Sequence, residues 1–306
     1  MSAAGKRPWI SVVFPARNEG DRVKGAIDSI VAGRSEGFPL QIVVVDDAST
    51  DGCCNGIPRL YSPGRDRVRI DVVRLPHWSG IPHARNAGAA VARGEYLFVT
   101  DANVIFPPGW DLAIREYAKP ERALSATITS QDSAFRGYGC TLLLASMTVC
   151  WLATPNRFGG FVPVAPCTGS VIPTALFRQL GGYDTAMPMY GAAEPEFSVR
   201  LWLSGGEIVC PPGLVLNHRF RPKPEREEFL KAIRRTQVQN FLRFGLLYLD
   251  EIRMNEVNRH YANRFPDIFD ECYNAVLQSD VAVRREALRR RLAKSFSFLV
   301  DRFALR

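Results

Sequence analysis

Asp101 and Asn103, two positions apart in Phe98-Val-Thr-Asp-Ala-Asn103, close a short apolar stretch. Placed just past a strand, both oxygens can reach one hard cation, because Mg2+ and Mn2+ take carboxylate, amide, water and phosphate oxygens. The same Asp-x-Asn pattern also serves as turn chemistry, with both side chains bonding local backbone. Another acidic pair, Asp46-Asp47, ends the run Gln41-Ile-Val-Val-Val45. Arg85 sits in an otherwise apolar, Ala-rich segment, where a guanidinium can fork onto diphosphate oxygens or pair with an acid such as Asp47. Glu194 opens a helical stretch and precedes Pro195, a placement the helix dipole favours.

These residues need elements to hold them. Ile10–Phe14, Gln41–Val45 and Tyr96–Thr100 are short apolar runs that read as buried strands. Val68–Leu75 alternates apolar and polar, as a strand near an edge does. Asp21–Ala32 carries Val23, Ala26, Ile27 and Ile30 at helical spacing, and Pro82–Ala92 reads as a second helix. Strands alternating with helices predict an α/β sheet covered on both faces. Ligands bind such sheets outside the carboxyl ends of the strands, where Asp46 and Asp101 fall. Later, Thr174–Leu180 and Glu194–Leu203 read as helices, and Glu207–Val209 and Leu214–Leu216 as short extended pieces. Past Pro224 the pattern is helical to the end except near Phe265-Pro-Asp267, so the boundary is set at residues 1–222 and 223–306.

The 306 residues carry 39 Lys and Arg against 31 Asp and Glu, a formal charge of +8. A basic balance invites a polyanion: nucleic acid, an anionic membrane or a phosphorylated substrate. Eight basic and two acidic residues lie in the last 26, so that segment holds +6 of the +8. There Leu288, Leu292, Phe296, Leu299 and Phe303 form a stripe at helical spacing. One basic amphipathic helix is expected, docked on the core with its charged face in solvent, or else lying on an anionic membrane, pairing two subunits or holding a polyanionic acceptor. Seven cysteines without a C-x-x-C pair read as free thiols in a reducing compartment, without a zinc site. No leader is seen before Trp9, which favours the cytoplasm. The uncharged stretch Gly137–Asn156 is expected to be a buried element or an acceptor-facing wall rather than a membrane span.

Seven segments, in order, resemble a nucleotide-sugar glycosyltransferase of the GT-A fold, family 2-like and closest in motif order to the polypeptide N-acetylgalactosaminyltransferases. They are Trp9–Glu19, Val43–Ser49, Ser79–Gly88, Phe98–Asn103, Leu180–Asp184 with Tyr190–Trp202, Leu216–Arg221, and Asn240–Arg243 with Tyr248–Glu251. The resemblance implies a GT-A nucleotide-sugar-binding domain followed by a helical extension. It places Pro15, Arg17, Asp46, Arg85, Asp101, Gly169 and Arg221 at the nucleotide sugar, with Asp46 accepting the uracil N3–H or simply bonding the Ala48-Ser49 turn. It makes His218 a metal ligand with Asp101 and Asn103. An imidazole in the set suits Mn2+ better than Mg2+.

Two positions depart from the family patterns. Asn103 stands where the polypeptide-modifying enzymes usually carry His, and Ala193 where both families usually carry Glu. Glu194 then falls where inverting family 2 enzymes have a base Asp, and there it would deprotonate an acceptor hydroxyl. In the retaining polypeptide family that position is no base, so inversion and retention both stay open. Glu196 is expected to be structural or acceptor-orienting. The activity implied is metal-dependent transfer from a UDP-sugar to a hydroxyl, first a protein Ser or Thr, alternatively a modified DNA base or a polysaccharide or lipid. A non-catalytic nucleotide or polyanion binder is the reading of another class.

Overall fold

The structure, a computed structural model, describes residues 9–35, 37–58, 60–61 and 68–306. The Met1–Pro8 stretch read for a leader lies outside the described residues. In chain order the elements are β1 (Ile10–Ala16), α1 (Arg22–Gly33), β2 (Leu40–Asp46), β3 (Leu60–Tyr61), β4 (Val68–Arg74), α2 (Ile81–Val91), β5 (Tyr96–Val99), β6 (Val104–Ile105) and α3 (Leu112–Tyr117). A middle section follows: β7 (Arg122–Ser125), β8 (Thr127–Ser130), β9 (Arg136–Tyr138), β10 (Cys140–Leu143), β11 (Thr148–Trp151), β12 (Ser170–Pro173), α4 (Thr174–Leu180), α5 (Ala193–Leu203), β13 (Glu207–Val209) and β14 (Val215–His218). Six helices close the chain: α6 (Lys223–Ala232), α7 (Arg234–Tyr248), α8 (Glu251–Arg264), α9 (Phe269–Leu277), α10 (Val281–Arg291) and α11 (Phe296–Phe303).

The main sheet has the order β13-β7-β12-β5-β1-β2-β4-β3. Its centre, β5-β1-β2-β4, is parallel, and register sets Ala16 beside Asp46 and Asp46 beside Arg74. Side chains alternate across a strand, so β1 and β2 feed two hydrophobic layers. Val12, Phe14, Ile42 and Val44 pack with α1 on one face, and Val13, Val43 and Val45 with α2 on the other. The predicted α/β sheet with helices on both faces is therefore present.

α2 is Ala-rich for a steric reason. A Cβ on Gly88 would lie 2.4 Å from Val13 Cγ1 and 2.9 Å from Val45 Cγ2, so the helix rides close on the sheet. That closeness sinks Arg85 beneath the surface.

A smaller sheet, β6-β14-β8-β9, lies beyond the carboxyl edge of β5, and β10-β11 forms a hairpin. The uncharged stretch folds around that hairpin, with Leu142, Met147 and Leu152 buried. No helix among the described residues is long and apolar enough to cross a membrane.

The C-terminal segment corrects one expectation. It is two helices, α10 and α11, because the chain turns at residues 292–295 and its apolar stripe changes direction. Leu288, Phe296, Leu299 and Phe303 are buried in the same hydrophobic layer as α2, α5 and α7. Arg289, Arg290 and Arg291 are exposed, so the docked reading holds and the stripe offers no free apolar face.

Candidate active site

The site forms where β1, β2 and β5 end. Asp47, just past β2, accepts the backbone N–H groups of Ser79 and Gly80 at 2.8 and 2.9 Å and so anchors the start of α2. Arg17, just past β1, donates to the carbonyls of Asp47 and Ala48, both at 2.8 Å, and lies 4.5 Å from the Trp78 ring centre. Asp46 is buried; Oδ1 accepts from Ser49 N–H at 2.8 Å and Oδ2 pairs with Arg74 at 2.5 Å. The turn bond to Ser49 is thus formed, and each carboxylate oxygen keeps a second lone pair. Pro15 is buried in β1.

Arg85 is 1% exposed and joins two acids. One terminal nitrogen donates to Asp101 Oδ1 at 2.7 Å, the other to Glu194 Oε1 at 2.8 Å. The internal pairing anticipated with Asp47 is made with Asp101 and Glu194 instead, because Asp47 faces the α2 backbone. Burial works against the guanidinium's charge, and the two carboxylates outweigh it, so its pKa rises. Burial pushes the Glu194 carboxyl up while Arg85 pulls against it. Glu194 sits in the first turn of α5 and is 5% exposed.

Register in the small sheet brings in the third part. His218 at the end of β14 pairs with Val104 of β6, next to Asn103. Asn103 and Arg219 lock the two segments: Arg219 N–H donates to the Asn103 carbonyl at 2.9 Å, and Asn103 Nδ2 donates to the Arg219 carbonyl at 2.9 Å. The Asn103 amide oxygen, the atom a cation takes, is left for the site. His218 is 9% exposed, and its Nδ1 is enclosed with no hydrogen-bond partner. Burial lowers its pKa, with Asp101 and Glu19 opposing, which favours the neutral imidazole. Among the described residues no three His, Cys, Asp or Glu side chains group to hold a metal, and the expected set contains two such side chains, Asp101 and His218. Carboxylate, amide oxygen and neutral imidazole nonetheless make a donor set that fits a divalent cation.

Other positions have structural partners. Arg221 is 43% exposed and pairs with Glu19, in the loop after β1, at 2.7 Å. Gly169 has no room for a side chain: a Cβ would lie 2.8 Å from that of Ala126 and 3.1 Å from Ile128. Glu196 is fully buried in a fork from Arg200, at 2.9 and 2.6 Å, and accepts from the Tyr248 hydroxyl at 2.6 Å, which makes it structural as expected. The late helix motif serves the same region. Asn240 donates to the carbonyls of Pro188 and Tyr190 at 2.7 and 3.3 Å, and Arg243 reaches Asp184 at 2.9 Å. α7 thus holds the loop that leads into Glu194.

Cys167 and Tyr183, not singled out beforehand, also surround the Arg85 cluster. Burial, with Asp101 next, pushes the Cys167 thiol up to about 12, so it stays protonated. The buried Tyr183 phenol is likewise pushed up by burial and stays neutral. Tyr183 lies in the Leu180–Asp184 segment and is held beside α2 by backbone bonds with the Asn86 side chain at 2.9 Å.

The chain is similar to known proteins in sequence and in fold. Mus musculus polypeptide N-acetylgalactosaminyltransferase 4 is 26% identical over 311 residues, covering 95% of this chain and 50% of that protein. Taeniopygia guttata polypeptide N-acetylgalactosaminyltransferase 3 is 30% identical over 270 residues, covering 80% of this chain and 43% of that protein. The chain spans about half the length of the curated relatives it matches. In structure it is similar to GalNAc-T7 crystallised with UDP, GalNAc and Mn2+ (TM-score 0.71, 18% identity, 98% of this chain and 57% of that one). It is also similar to the mannosyltransferase PcManGT from Pyrobaculum calidifontis, solved with GDP-Man and Mn2+ (TM-score 0.57, 19% identity, 97% and 86%). The fold is that of the GT-A glycosyltransferases. A profile described as Glycosyl transferase family 2 matches residues 11–164, and the chain belongs to that family.

Proposed function

We propose that this chain transfers a sugar from a UDP-sugar to a hydroxyl acceptor, with a divalent cation, Mn2+ first and Mg2+ second, held by Asp101, Asn103 and His218. The carrying observation is the joining of Asn103 to the β14 end, which sets His218, its Nδ1 enclosed without a partner, next to Asn103 of the Asp101 motif. A bound cation there supplies positive charge to the diphosphate leaving group. Arg17 and Asp46, at the ends of β1 and β2, receive the uridine, with Pro15 beneath them. Arg85 holds Asp101 and Glu194 in fixed relation, so cation ligand and acceptor side stay in register. Arg221, on the exposed side, reaches phosphate when it leaves Glu19. Gly169 keeps the wall after Cys167 flat at the sugar.

Glu194 is the proposed catalytic group. Its carboxyl is raised by burial, which suits a base taking the acceptor hydroxyl's proton at the oxygen not paired with Arg85. The Arg85 pair equally suits a second reading in which Glu194 is only a clamp on the guanidinium and the reaction retains configuration. Names of the relatives favour a polypeptide as acceptor, and a hydroxyl acceptor on it would be a Ser or Thr. Modified DNA bases and polysaccharide or lipid hydroxyls are the competing acceptors.

UDP release, measured over a panel of UDP-sugars with peptide, oligosaccharide and DNA acceptors and read by intact mass, tests the proposal. Release with Mn2+ that stops with chelator supports it. UDP binding with no turnover for any pair would make the chain a nucleotide binder. With Glu194→Gln, lost transfer with donor binding intact supports the base; unchanged transfer supports the clamp.

A further inference from the structure

Trp78 is the one exposed tryptophan of five, at 39%, while Trp110 and Trp202 are buried. It lies in the connection from β4 to α2, at the carboxyl edge of the parallel strands. Its surroundings are fixed. The next two residues, Ser79 and Gly80, are bonded through their N–H groups to Asp47, and Ser79 Oγ donates to the His77 carbonyl at 3.0 Å. Arg17, over the ring, is pinned to the carbonyls of Asp47 and Ala48. One loop after β2 therefore orients both the indole and the cation against it. An indole whose backbone neighbours and overlying cation are anchored, and which stays 39% exposed, is set as a stacking platform for a flat partner. Two features say which partner. The loop that pins Arg17 against the platform directly follows Asp46, a carboxylate at the end of β2, and the platform follows β4, which lies across β1 and β2 from β5 and Asp101.

We propose that Trp78 is the stacking platform for the donor's nucleobase and sets much of its affinity. This rests on the UDP-sugar reading above and adds a residue to it. Base–aromatic stacking depends on the ring and not on phosphate charge. Removing the ring therefore weakens UMP and UDP by the same factor, with or without metal.

The test is calorimetric binding of UMP in chelator and of UDP with Mn2+, for wild type, Trp78→Ala, Trp78→Phe and Asn103→Ala, with tryptophan emission followed in parallel. Trp78→Ala should weaken both ligands about 5- to 100-fold. Trp78→Phe should retain binding within a few-fold and lose the ligand-induced change in emission. Asn103→Ala should weaken UDP with Mn2+ and leave UMP unchanged. If Trp78→Ala binds both ligands as wild type does, or Trp78→Phe keeps the full emission change, the platform is refuted while the UDP-sugar reading stands. If wild type binds neither ligand, both fall. Should Trp78→Ala fail to fold, the Trp78→Phe emission decides.

Discussion

Arg85 and Glu194 are separated by 109 positions in the chain and by 2.8 Å in the fold. The pair ties α2 to α5, and the other arm of the same guanidinium holds Asp101. A buried cation between two carboxylates makes each group depend on the others. Lone charges there would face a large desolvation cost.

Arg85→Met is expected to cost about 3–5 kcal/mol, because it leaves buried carboxylates without their cation. Arg85→Lys keeps the charge but loses the fork and should cost less. Urea unfolding of the three proteins checks the order, and equal stability of Arg85→Met and wild type would refute it.

Stability should carry a pH signature from Glu194. Folding raises this carboxyl above its ordinary value of 4.5, so the folded state holds the proton more tightly than the unfolded one. Its contribution is complete below that ordinary value and is lost as pH rises through the raised one. The stability of wild type relative to Glu194→Gln should therefore fall from acid towards neutral pH and then level. A difference that grows with pH would contradict the sign.

Metal dependence separates two variants. Asp101→Ala should abolish turnover and metal-stimulated UDP binding together, and it should lower stability by unpairing Arg85. Asn103→Ala removes one hydrogen bond to Arg219 and should cost only about 1 kcal/mol. It should still lose metal-stimulated UDP binding. Turnover that survives chelator would remove the cation from the site.

Tyr248→Phe should lose about 1–3 kcal/mol in denaturant unfolding, since its hydroxyl bonds the buried Glu196 carboxylate. Donor affinity should not change, because the Glu196–Arg200–Tyr248 network braces α5 rather than facing the ligand side. A selective loss of donor binding at full stability would reassign the network.

Gly80→Ala tests the seam between α2 and the loop before α5. Gly80 has φ +84°, and a Cβ there would lie 2.4 Å from the Met189 backbone. Ile81 N–H donates to the Met189 carbonyl at 2.9 Å across the same seam. Positive φ alone costs about 1–3 kcal/mol, and the clash adds to it. Thermal melting should show the loss, and an unchanged melt would mean the seam opens freely.

Local pattern was enough for much of this protein. Helical spacing marked α1, which buries one face, and Ala content marked α2; continuous apolar runs marked β1, β2 and β5, because strands buried on both faces carry no polar alternation. Asp46 and Asp101 were legible as strand-end acids for the same reason. Of the small sheet β6-β14-β8-β9 only β14 was read, as the extended piece Leu214–Leu216: the strands are two to four residues long, too short for a period, and they pair across distant chain. The C-terminal stripe was legible as apolar, but its break between α10 and α11 follows from docking rather than spacing.

The sequence by itself determined the residue types at the site and their order: acid, amide, histidine, arginine and glutamate, each beside its own element. Only tertiary structure decided their partners. Arg85 met Asp101 and Glu194 because small residues let α2 sink onto the sheet. His218 came beside Asn103 because antiparallel pairing of β14 with β6 sets that register. Arg221 turned to Glu19 and Asp47 to the α2 backbone because charge and hydrogen-bond partners are chosen by distance in space, which no spacing along the chain records.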